Sequence, residues 1–224
     1  MSRFDQRCGV LFDHDGTLVD SLALVVAATN AVLAAHDHPP QDRDTIISGM
    51  VLPTGPRIGA LLSVDDPQQQ DDLAEAFFVR ARQMGAAHVR LYPGIEDLLA
   101  ELHAAGWALG VVTNNEGRLV RELLADLGVA GYLTLIVGEE DVPAAKPDPA
   151  GTRQALAGLG LAPQRCVYVG DSDGDLGAAQ AAGLAAIGVA WGTHSAAELR
   201  AMGYPRVVES VVDLRAAIFS GLGV

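Results

Sequence analysis

Short apolar runs and amphipathic segments alternate along most of this chain. The first apolar run, Cys8 to Phe12, is too short for a helix and is typical of a buried parallel strand, so we predict a strand over Cys8 to Asp13. Ser21 to His36 then places apolar residues on one helical stripe, and Asp20 or Ser21 can cap that helix. The chain is therefore predicted to begin with a strand, an acidic turn and a helix.

The segment that follows, up to about residue 90, has a polar helical pattern and no strand candidate. Helices are predicted over Arg43 to Ser48, Pro56 to Leu62 and Asp71 to Met84, with turns at residues 53–56 and 64–67. Because this segment is inserted directly after the acidic turn, we predict that residues 20–90 form a small α-helical cap domain that can act as a lid.

The rest of the chain alternates strictly between helices and short apolar strands. The predicted helices are Ile95 to Ala105, Glu116 to Leu127, Pro149 to Leu159, Leu176 to Ala182, Ser195 to Met202 and Val211 to Phe219. The predicted strands are Trp107 to Thr113, Tyr132 to Val137, Cys166 to Gly170 and Ala185 to Val189. Such alternation is typical of βαβ units. It predicts an α/β core domain, residues 1–19 and 91–224, with a Rossmann-like parallel sheet and helices on both faces.

Composition excludes several classes of partner. The net charge of −13 argues against nucleic acid and against an anionic membrane surface, because both favour clustered basic residues. Apolar runs are short, and residues 1–7 are polar without an apolar signal region, so we expect a soluble, cytoplasmic protein. Only two cysteines are present, Cys8 and Cys166, which excludes a disulfide framework and a multi-cysteine zinc site.

Polar groups follow three of the predicted strands. Asp13 and Asp15, separated by one residue, come directly after the first strand, at the edge where open α/β sheets bind ligands. Thr113 and Asn114 end a second strand and precede a helix, whose free N–H groups favour an anion. An acidic turn and an ordinary helix N-cap are the alternatives for these two stretches.

The third stretch contains three carboxylates, at Asp171, Asp173 and Asp175, within five residues. Their repulsion requires a nearby cation, and such oxygen ligands suit magnesium. A calcium-binding EF-hand is excluded, because Leu176 occupies its glycine position and Ala182 its glutamate position. A solvated acidic turn remains the alternative.

Lys146 is the only lysine in the chain. It lies at a predicted helix start, where the helix dipole disfavours a cation, which favours a lysine held for a phosphate. The alternative is a surface lysine without a role.

Together these stretches resemble the haloacid dehalogenase superfamily, specifically its phosphatases with a helical cap between the first and second motifs. The motifs occur in family order: residues 13–18 (DHDGTL), Thr113-Asn114, residues 146–149 (KPDP) and residues 170–175 (GDSDGD). Residues 92–94 and the tail from Gly192 to Leu199 resemble the phosphoglycolate phosphatase branch. His14 departs from the family pattern, which usually has an apolar residue there.

The resemblance implies a magnesium-dependent phosphatase acting on a small phosphorylated metabolite. Asp13 would be the nucleophile, forming an aspartyl-phosphate, and Asp15 the general acid and base. Magnesium would be held by Asp13, Asp15 (also through its backbone carbonyl) and Asp171, with Asp175 orienting metal-bound water or Lys146. The implied phosphoryl-binding residues are Thr113, Asn114 and Lys146.

Residues 49–57 resemble the cap segment that reaches the substrate in this family, and Arg57 is its only charged residue. Arg57 could clamp a carboxylate or second phosphate of the substrate; a solvated surface arginine is the alternative.

The resemblance leaves a phosphosugar mutase such as a β-phosphoglucomutase, a pyrophosphatase, and a non-catalytic regulatory or binding homologue as competitors. The oligomeric state is expected to be a monomer or a homodimer.

Cys8 and Cys166 each precede an aspartate by five residues. If those aspartates share one metal from adjacent strands, the cysteines should also be neighbours, reduced and buried, with Cα atoms within about 7 Å.

Overall fold

Parallel strands form the centre of the molecule, as the alternating pattern predicts. In a computed structural model, which describes residues 8–221, a six-stranded parallel sheet has the strand order β5-β4-β1-β6-β7-β8. The strands in chain order are β1 (Gly9–Phe12), β2 (Val19–Asp20), β3 (Arg90–Leu91), β4 (Ala108–Val112), β5 (Leu135–Val137), β6 (Cys166–Gly170), β7 (Ala185–Val189) and β8 (Val207–Val208). The predicted α/β fold class is confirmed, with β1 at the centre beside both β4 and β6.

Helices connect these strands at nearly the predicted places. In chain order they are α1 (Leu22–Ala35), α2 (Arg43–Ser48), α3 (Thr54–Leu62), α4 (Pro67–Met84), α5 (Ile95–Ala104), α6 (Gly117–Asp126), α7 (Ala150–Leu159), α8 (Asp173–Ala182), α9 (Ala196–Met202) and α10 (Val211–Gly221). Short 3-10 helices lie at Gly49–Val51, Gly85–His88, Ala130–Tyr132, Glu139–Asp141 and Pro163–Arg165.

The two faces of the sheet pack against different helices because alternate strand residues point to opposite faces. Val10 and Phe12 of β1 pack with apolar residues of α5, α6 and α10. Leu11, between them, packs with residues of α7, α8 and α9. Since both faces of β1 are covered, its residues are fully buried, as expected for a central parallel strand.

Helices α1 to α4, here called the cap helices, lie between β2 and β3, which pair antiparallel through Val19 with Leu91 and Asp20 with Arg90. This two-stranded ladder falls at the predicted boundaries of the insertion, residues 20 and 90. It was not predicted, because two residues carry no periodic pattern. The division into a core domain and a cap domain stays a prediction.

The structure differs from the sequence prediction at several elements, including α8, β5 and β8. Helix α8 begins at Asp173 instead of Leu176, because the Ser172 hydroxyl accepts a hydrogen bond from the Asp175 backbone N–H and forms a capping box. The predicted strand from Tyr132 is shortened to β5 by a 3-10 turn. Strand β8, at the edge of the sheet, has only two residues and was missed.

Cys8 immediately precedes β1 and Cys166 begins the adjacent strand β6, but the register differs by one residue from the equal spacing of the two cysteines to Asp13 and Asp171. Gly9, not Cys8, is opposite Cys166. The thiols therefore point to opposite faces, Cys8 toward Val10 and Cys166 toward Tyr168. Both are free and buried, and burial raises the pKa of Cys166 to about 12, which favours an inert thiol. The Cα separation stays a prediction.

Within residues 8–221, no helix combines the length and apolar character needed to cross a bilayer. The predicted core domain also includes residues 1–7 and 222–224, which lie outside the described residues. The prediction that residues 1–7 contain no signal region falls on the same undescribed residues.

Candidate active site

The carboxyl ends of β1, β4 and β6 bring the predicted motifs to one edge of the sheet. A cavity of about 280 Å³ opens there, between this edge and the cap helices. Its lining includes seven of the eight predicted site residues: Asp13, Asp15, Arg57, Thr113, Asn114, Lys146 and Asp171. The eighth, Asp175, lies behind the cavity wall and is fully buried. The convergence predicted from strand ends is therefore present in the fold.

Three buried carboxylates form a cluster at this edge. Each of Asp13, Asp171 and Asp175 offers one oxygen, and these oxygens all lie within 4.8 Å of one another. Burial and the charge of Asp175 raise the pKa of Asp13 well above its usual value and that of Asp171 to about 6. Three carboxylates and the Lys146 ammonium give the ionised cluster a net charge of about −2, which a divalent cation would balance.

Lys146 is buried within this cluster. Its Nζ lies 2.7 Å from Oδ1 of Asp13, 2.6 Å from Oδ1 of Asp175 and 3.2 Å from the carbonyl oxygen of Val112. Burial alone would lower the pKa of Lys146, but Asp13 and Asp175 hold it well above its usual value. The lone lysine is therefore a charged group of the cavity wall and not a surface lysine.

Asp175 is almost fully engaged by the protein. Its Oδ1 accepts hydrogen bonds from Lys146 and the Tyr168 hydroxyl, at 2.6 and 3.2 Å. Its Oδ2 accepts from the Ser172 hydroxyl at 2.6 Å, and from the backbone N–H groups of Ser172 and Asp171 at 3.1 and 3.2 Å. Such an environment suits a carboxylate that orients its neighbours more than one that binds a metal directly.

Asp15 faces a different set of groups. Its carboxylate accepts hydrogen bonds from the Ser21 hydroxyl and from Nδ2 of Asn115, at 3.1 Å for the latter. Nδ1 of the buried His14 lies 3.1 Å from Oδ1 without forming a well-aligned hydrogen bond. Burial would raise the pKa of Asp15, but His14, Ser21 and Asn115 hold it well below its usual range. The resting carboxylate is therefore ionised.

Thr113 and Asn114 both line the cavity but differ in what their side chains can offer. Thr113 Oγ1 accepts a hydrogen bond from the Asn115 N–H at 3.1 Å, so its own proton can still be donated. Asn114 joins two loops: Nδ2 donates to the Lys146 carbonyl at 3.1 Å, and Oδ1 accepts from the Lys146 N–H at 2.8 Å. Phosphoryl binding by Asn114 stays a prediction, and its amide has a visible structural role.

Arg57 lies on the cap side of the cavity and is only 6% exposed, so the alternative of a solvated surface arginine is wrong. Its guanidinium lies 5.2 Å from the centre of the Phe77 ring. Burial lowers the pKa of Arg57 to about 10, against the opposing charges of Asp15 and Glu139, so it stays charged at neutral pH. Its Nε is buried and has no hydrogen-bond partner among residues 8–221.

Several site residues were not predicted. Ser21 was interpreted only as a possible helix cap, yet its hydroxyl makes no cap hydrogen bond and binds Asp15 instead. Asn115 follows a predicted motif, and adjacency alone could have suggested it. Tyr168 gave no signal, and Thr193 and His194 were noted only as part of the tail that resembles a branch of the family. Their contacts with Asp175 and Asp171 depend on how strands β6 and β7 are placed.

A parallel sheet with an acidic carboxyl edge, a buried lysine and helices inserted after the first motif defines a class of hydrolases. A family model described as haloacid dehalogenase-like hydrolase matches residues 10–189, and the chain belongs to this family. The predicted family is confirmed.

Similar proteins carry phosphatase names. The chain is 36% identical over 214 residues to a phosphoglycolate phosphatase of Chromobacterium violaceum, covering 92% of this chain and 93% of that protein. It is 35% identical over 187 residues to an N-acetylmuramic acid 6-phosphate phosphatase of Pseudomonas aeruginosa, covering 82% and 81%. The predicted enzyme class, a phosphoric monoester hydrolase, is confirmed at this level.

Solved structures agree with the fold. A haloacid dehalogenase-like hydrolase from Bacteroides fragilis superposes with a TM-score of 0.85 at 28% identity, covering 93% of this chain and 99% of that one. A predicted phosphatase from Clostridium acetobutylicum superposes with a TM-score of 0.84 at 25% identity, covering 95% and 99%.

Proposed function

We propose that this enzyme hydrolyses a small phosphomonoester through an aspartyl-phosphate on Asp13, with magnesium as cofactor. The observation that carries the proposal is the position of Asp13: it lines the cavity, contacts Lys146, and lies within a buried cluster that has an excess of negative charge. A nucleophile of this kind divides a slow hydrolysis into two easier displacements.

The residues present fit a divalent cation. Asp13 and Asp171 would hold it together with the Asp15 backbone carbonyl, while Asp175 is engaged by Lys146, Tyr168 and Ser172. When bound, the cation would neutralise the repulsion between an anionic nucleophile and an anionic phosphate. Lys146 contributes a fixed positive charge next to Oδ1 of Asp13.

The two displacements assign complementary tasks to Asp13 and Asp15. In the first, a carboxylate oxygen of Asp13 bonds to phosphorus while the bond to the leaving oxygen breaks, and Asp15 supplies the proton that this oxygen needs. In the second, Asp15 takes a proton from water, which attacks phosphorus and regenerates Asp13. The low pKa of Asp15 keeps its carboxylate unprotonated in the resting site, which is the state that a base requires. As the acid, Asp15 must first take up a proton from solvent or from a singly protonated phosphomonoester, when the leaving oxygen replaces part of the Ser21 and Asn115 network.

The substrate proposed first is phosphoglycolate or a similar phosphorylated carboxylic acid. Arg57 is a buried cation on the cap side of the cavity, next to apolar side chains such as Met50, Leu52 and Phe77. It could form a bidentate pair with a carboxylate on the leaving group. Support comes from two relatives, whose names describe phosphatases of phosphorylated acids, a glycolate and an N-acetylmuramic acid.

The first test is hydrolysis of p-nitrophenyl phosphate with magnesium and with a chelator. Hydrolysis that requires magnesium supports the proposal, and no hydrolysis of any phosphate ester would contradict it. A panel of phosphoglycolate, hexose phosphates, nucleotides and pyrophosphate then compares kcat/KM values. Release of inorganic phosphate distinguishes a phosphatase from a mutase, which would return an isomeric sugar phosphate.

Arg57→Ala tests the clamp. We expect kcat/KM for the preferred carboxylate-bearing substrate to fall about 100-fold or more, and that for p-nitrophenyl phosphate to change much less, because only the former loses a charge-assisted pair. Equal losses on both substrates would remove the clamp and leave the phosphatase assignment intact. A cytoplasmic location and a monomeric or dimeric state remain proposals, to be tested by cell fractionation and light scattering.

A further inference from the structure

The loop after β7 contacts Asp171, one of the proposed magnesium ligands, at several points. The backbone N–H and the Oγ1 hydroxyl of Thr193 both donate hydrogen bonds to Oδ2 of Asp171, each at 2.7 Å. Nδ1 of His194 lies 2.9 Å from the Asp171 backbone carbonyl, which can only accept, so the ring donates there. Thr193 and His194 also line the cavity.

Two glycines close the space around the same carboxylate oxygen. A Cβ added at Gly192 would lie 2.3 Å from Oδ2 of Asp171 and 2.3 Å from the Gly16 carbonyl oxygen. A Cβ added at Gly16 would lie 2.2 Å from Oδ2, and the positive φ of Gly16, 78°, also disfavours a side chain. Oδ2 of Asp171 is therefore enclosed by the turns at Gly16 and Gly192 and is held by Thr193. The other carboxylate oxygen, Oδ1, is left to bind a cation.

The backbone of Asp171 is fixed as well. Its N–H donates to Oδ2 of Asp175 at 3.2 Å, and its carbonyl is held by His194. The turns at Gly16 and Gly192 limit the space into which the carboxylate can rotate, and Thr193 holds Oδ2 there by two hydrogen bonds. A hydrogen bond to one ligand oxygen of this kind sets the direction of the other oxygen.

We infer that Thr193 is a positioning residue for the divalent cation, because its paired hydrogen bonds fix the rotamer in which Asp171 can bind the ion. This inference rests on the magnesium site of the proposed function. Thr193 would act through Asp171 without touching substrate or metal itself. The alternative is a purely structural role, in which Thr193 anchors the loop to β6 and affects stability alone.

The test measures magnesium binding without substrate, by isothermal titration calorimetry. Thr193→Val and Thr193→Ala remove the hydroxyl donor but keep the backbone donor, and alanine introduces no methyl group beside the carboxylate. Thr193→Ser restores the hydroxyl. Thr152→Val is the matched control, because Thr152 is a buried threonine whose hydroxyl has no hydrogen-bond partner among residues 8–221.

We expect the magnesium Kd of Thr193→Val and Thr193→Ala to rise about tenfold or more, and that of Thr193→Ser to stay within about threefold of wild type. Thr152→Val should bind as wild type does. Aryl phosphatase activity should follow: the valine and alanine variants should need proportionally more magnesium for half-maximal rate and regain most of kcat when saturated.

Unchanged magnesium affinity in both hydroxyl-deletion variants, with or without a lower melting temperature, would overturn the inference and leave the proposed function standing. If the wild-type protein itself bound no magnesium, the metal site of the proposed function would fail, and with it the role of Thr193. The wild-type titration therefore separates the two failures.

Discussion

Each carboxylate at the site is distinguished by the groups that contact it. Asp13 faces the Lys146 ammonium, and Asp15 faces three polar side chains that keep it ionised. Asp171 is held at one oxygen by Thr193, and Asp175 is enclosed by donors on both oxygens. Because environment separates the properties of chemically equal groups, four aspartates can serve as nucleophile, base, metal ligand and orienting group.

At the same scale, replacing Asp13 by asparagine should remove turnover and keep the fold. An amide cannot form the phosphoenzyme, so kcat for p-nitrophenyl phosphate should fall by about 10⁴-fold or more. The loss of one buried charge from a repelling cluster should leave the melting temperature in chelator close to that of wild type. Turnover within about tenfold of wild type, measured on protein of verified mass, would refute covalent catalysis by Asp13.

Lys146→Arg tests the shape of the cation at constant charge. The Nζ atom has three acceptors within 3.2 Å in a buried space, and a planar guanidinium cannot occupy that space with the same contacts. Activity should fall about 100-fold or more, with Lys146→Met as a charge-free comparison. Because Lys146 is only 8% exposed, an amine reagent should label it slowly in the folded protein, as seen by mass spectrometry. Rapid labelling with retained activity would contradict this role.

The candidate site was predictable where chemistry follows a strand end in sequence. Asp13, Thr113 and Asp171 are examples, because the carboxyl ends of parallel strands meet at one edge whatever their order. Ser21 and Thr193 were not predictable, since each reaches its aspartate only through the final placement of a loop. His14 was noticed only as a departure from the family pattern, and its approach to Asp15 depends on the turn that follows β1.

At the scale of elements, some predicted bounds match the structure residue for residue and others do not. Helix α2 and strands β6 and β7 have the predicted bounds. Helix α4 begins four residues earlier than predicted, because Asp66 accepts a hydrogen bond from the Gln69 N–H and Pro67 suits the first turn. The pattern of residues 64–67 indicated a turn, and the same residues also start a helix.

We predict a pH-dependent change in stability from Glu139, in the turn after β5 that faces cap helix α3. The Glu139 carboxylate faces the N–H of Thr54, and burial raises its pKa to about 7. Thr54 and Arg57 lower this pKa, and Glu140 and Glu116 raise it, without offsetting burial. Because the folded pKa is above the ordinary value of 4.5, the free energy of unfolding should fall as pH rises from about 4.5 to 7 and stay lowered above it.

Glu139→Gln should therefore match wild type at pH 4.5 and become more stable than wild type by on the order of 2 kcal/mol at pH 8. Urea unfolding in chelator at both pH values measures the difference. Glu140→Gln is the control, because Glu140 is exposed and accepts from the backbone N–H groups of Gly117 and Arg118. A glutamine variant at 139 that was less stable than wild type at pH 8 would show that the charge is favourable there.

At the scale of the whole molecule, the cap helices meet the core through few charged contacts. Arg82 of α4 donates a hydrogen bond to Glu116, just before α6, at 2.7 Å, and Glu139 faces the start of α3. The chain passes between the two parts only through β2 and β3. Arg57 of α3 and Asp13 after β1 both line the cavity between the two parts, and a lid function of the cap helices stays a prediction.

The negative charge of the active-site cluster should make the stability of the whole molecule depend on magnesium. The cluster of Asp13, Asp171 and Asp175 exceeds Lys146 by about two negative charges, so binding of magnesium to the folded state alone should stabilise it. At a magnesium concentration about 100 times the Kd, the gain is about 2.7 kcal/mol. For a chain of 224 residues this corresponds to a rise of about 5–10 °C in Tm.

Asp171→Asn should lose most of this rise, because an amide replaces a proposed ligand. Asp173→Asn is the matched control: Asp173 is an exposed acid of the same motif and is not part of the buried cluster, so its variant should keep the full rise. Differential scanning fluorimetry with magnesium or chelator measures all three proteins. An equal rise in Tm in the Asp171 and Asp173 variants would show that Asp171 does not bind the ion. The wild type is measured at 10 mM magnesium, about 100 times a Kd of 0.1 mM, and no rise in its Tm would exclude a site of that affinity.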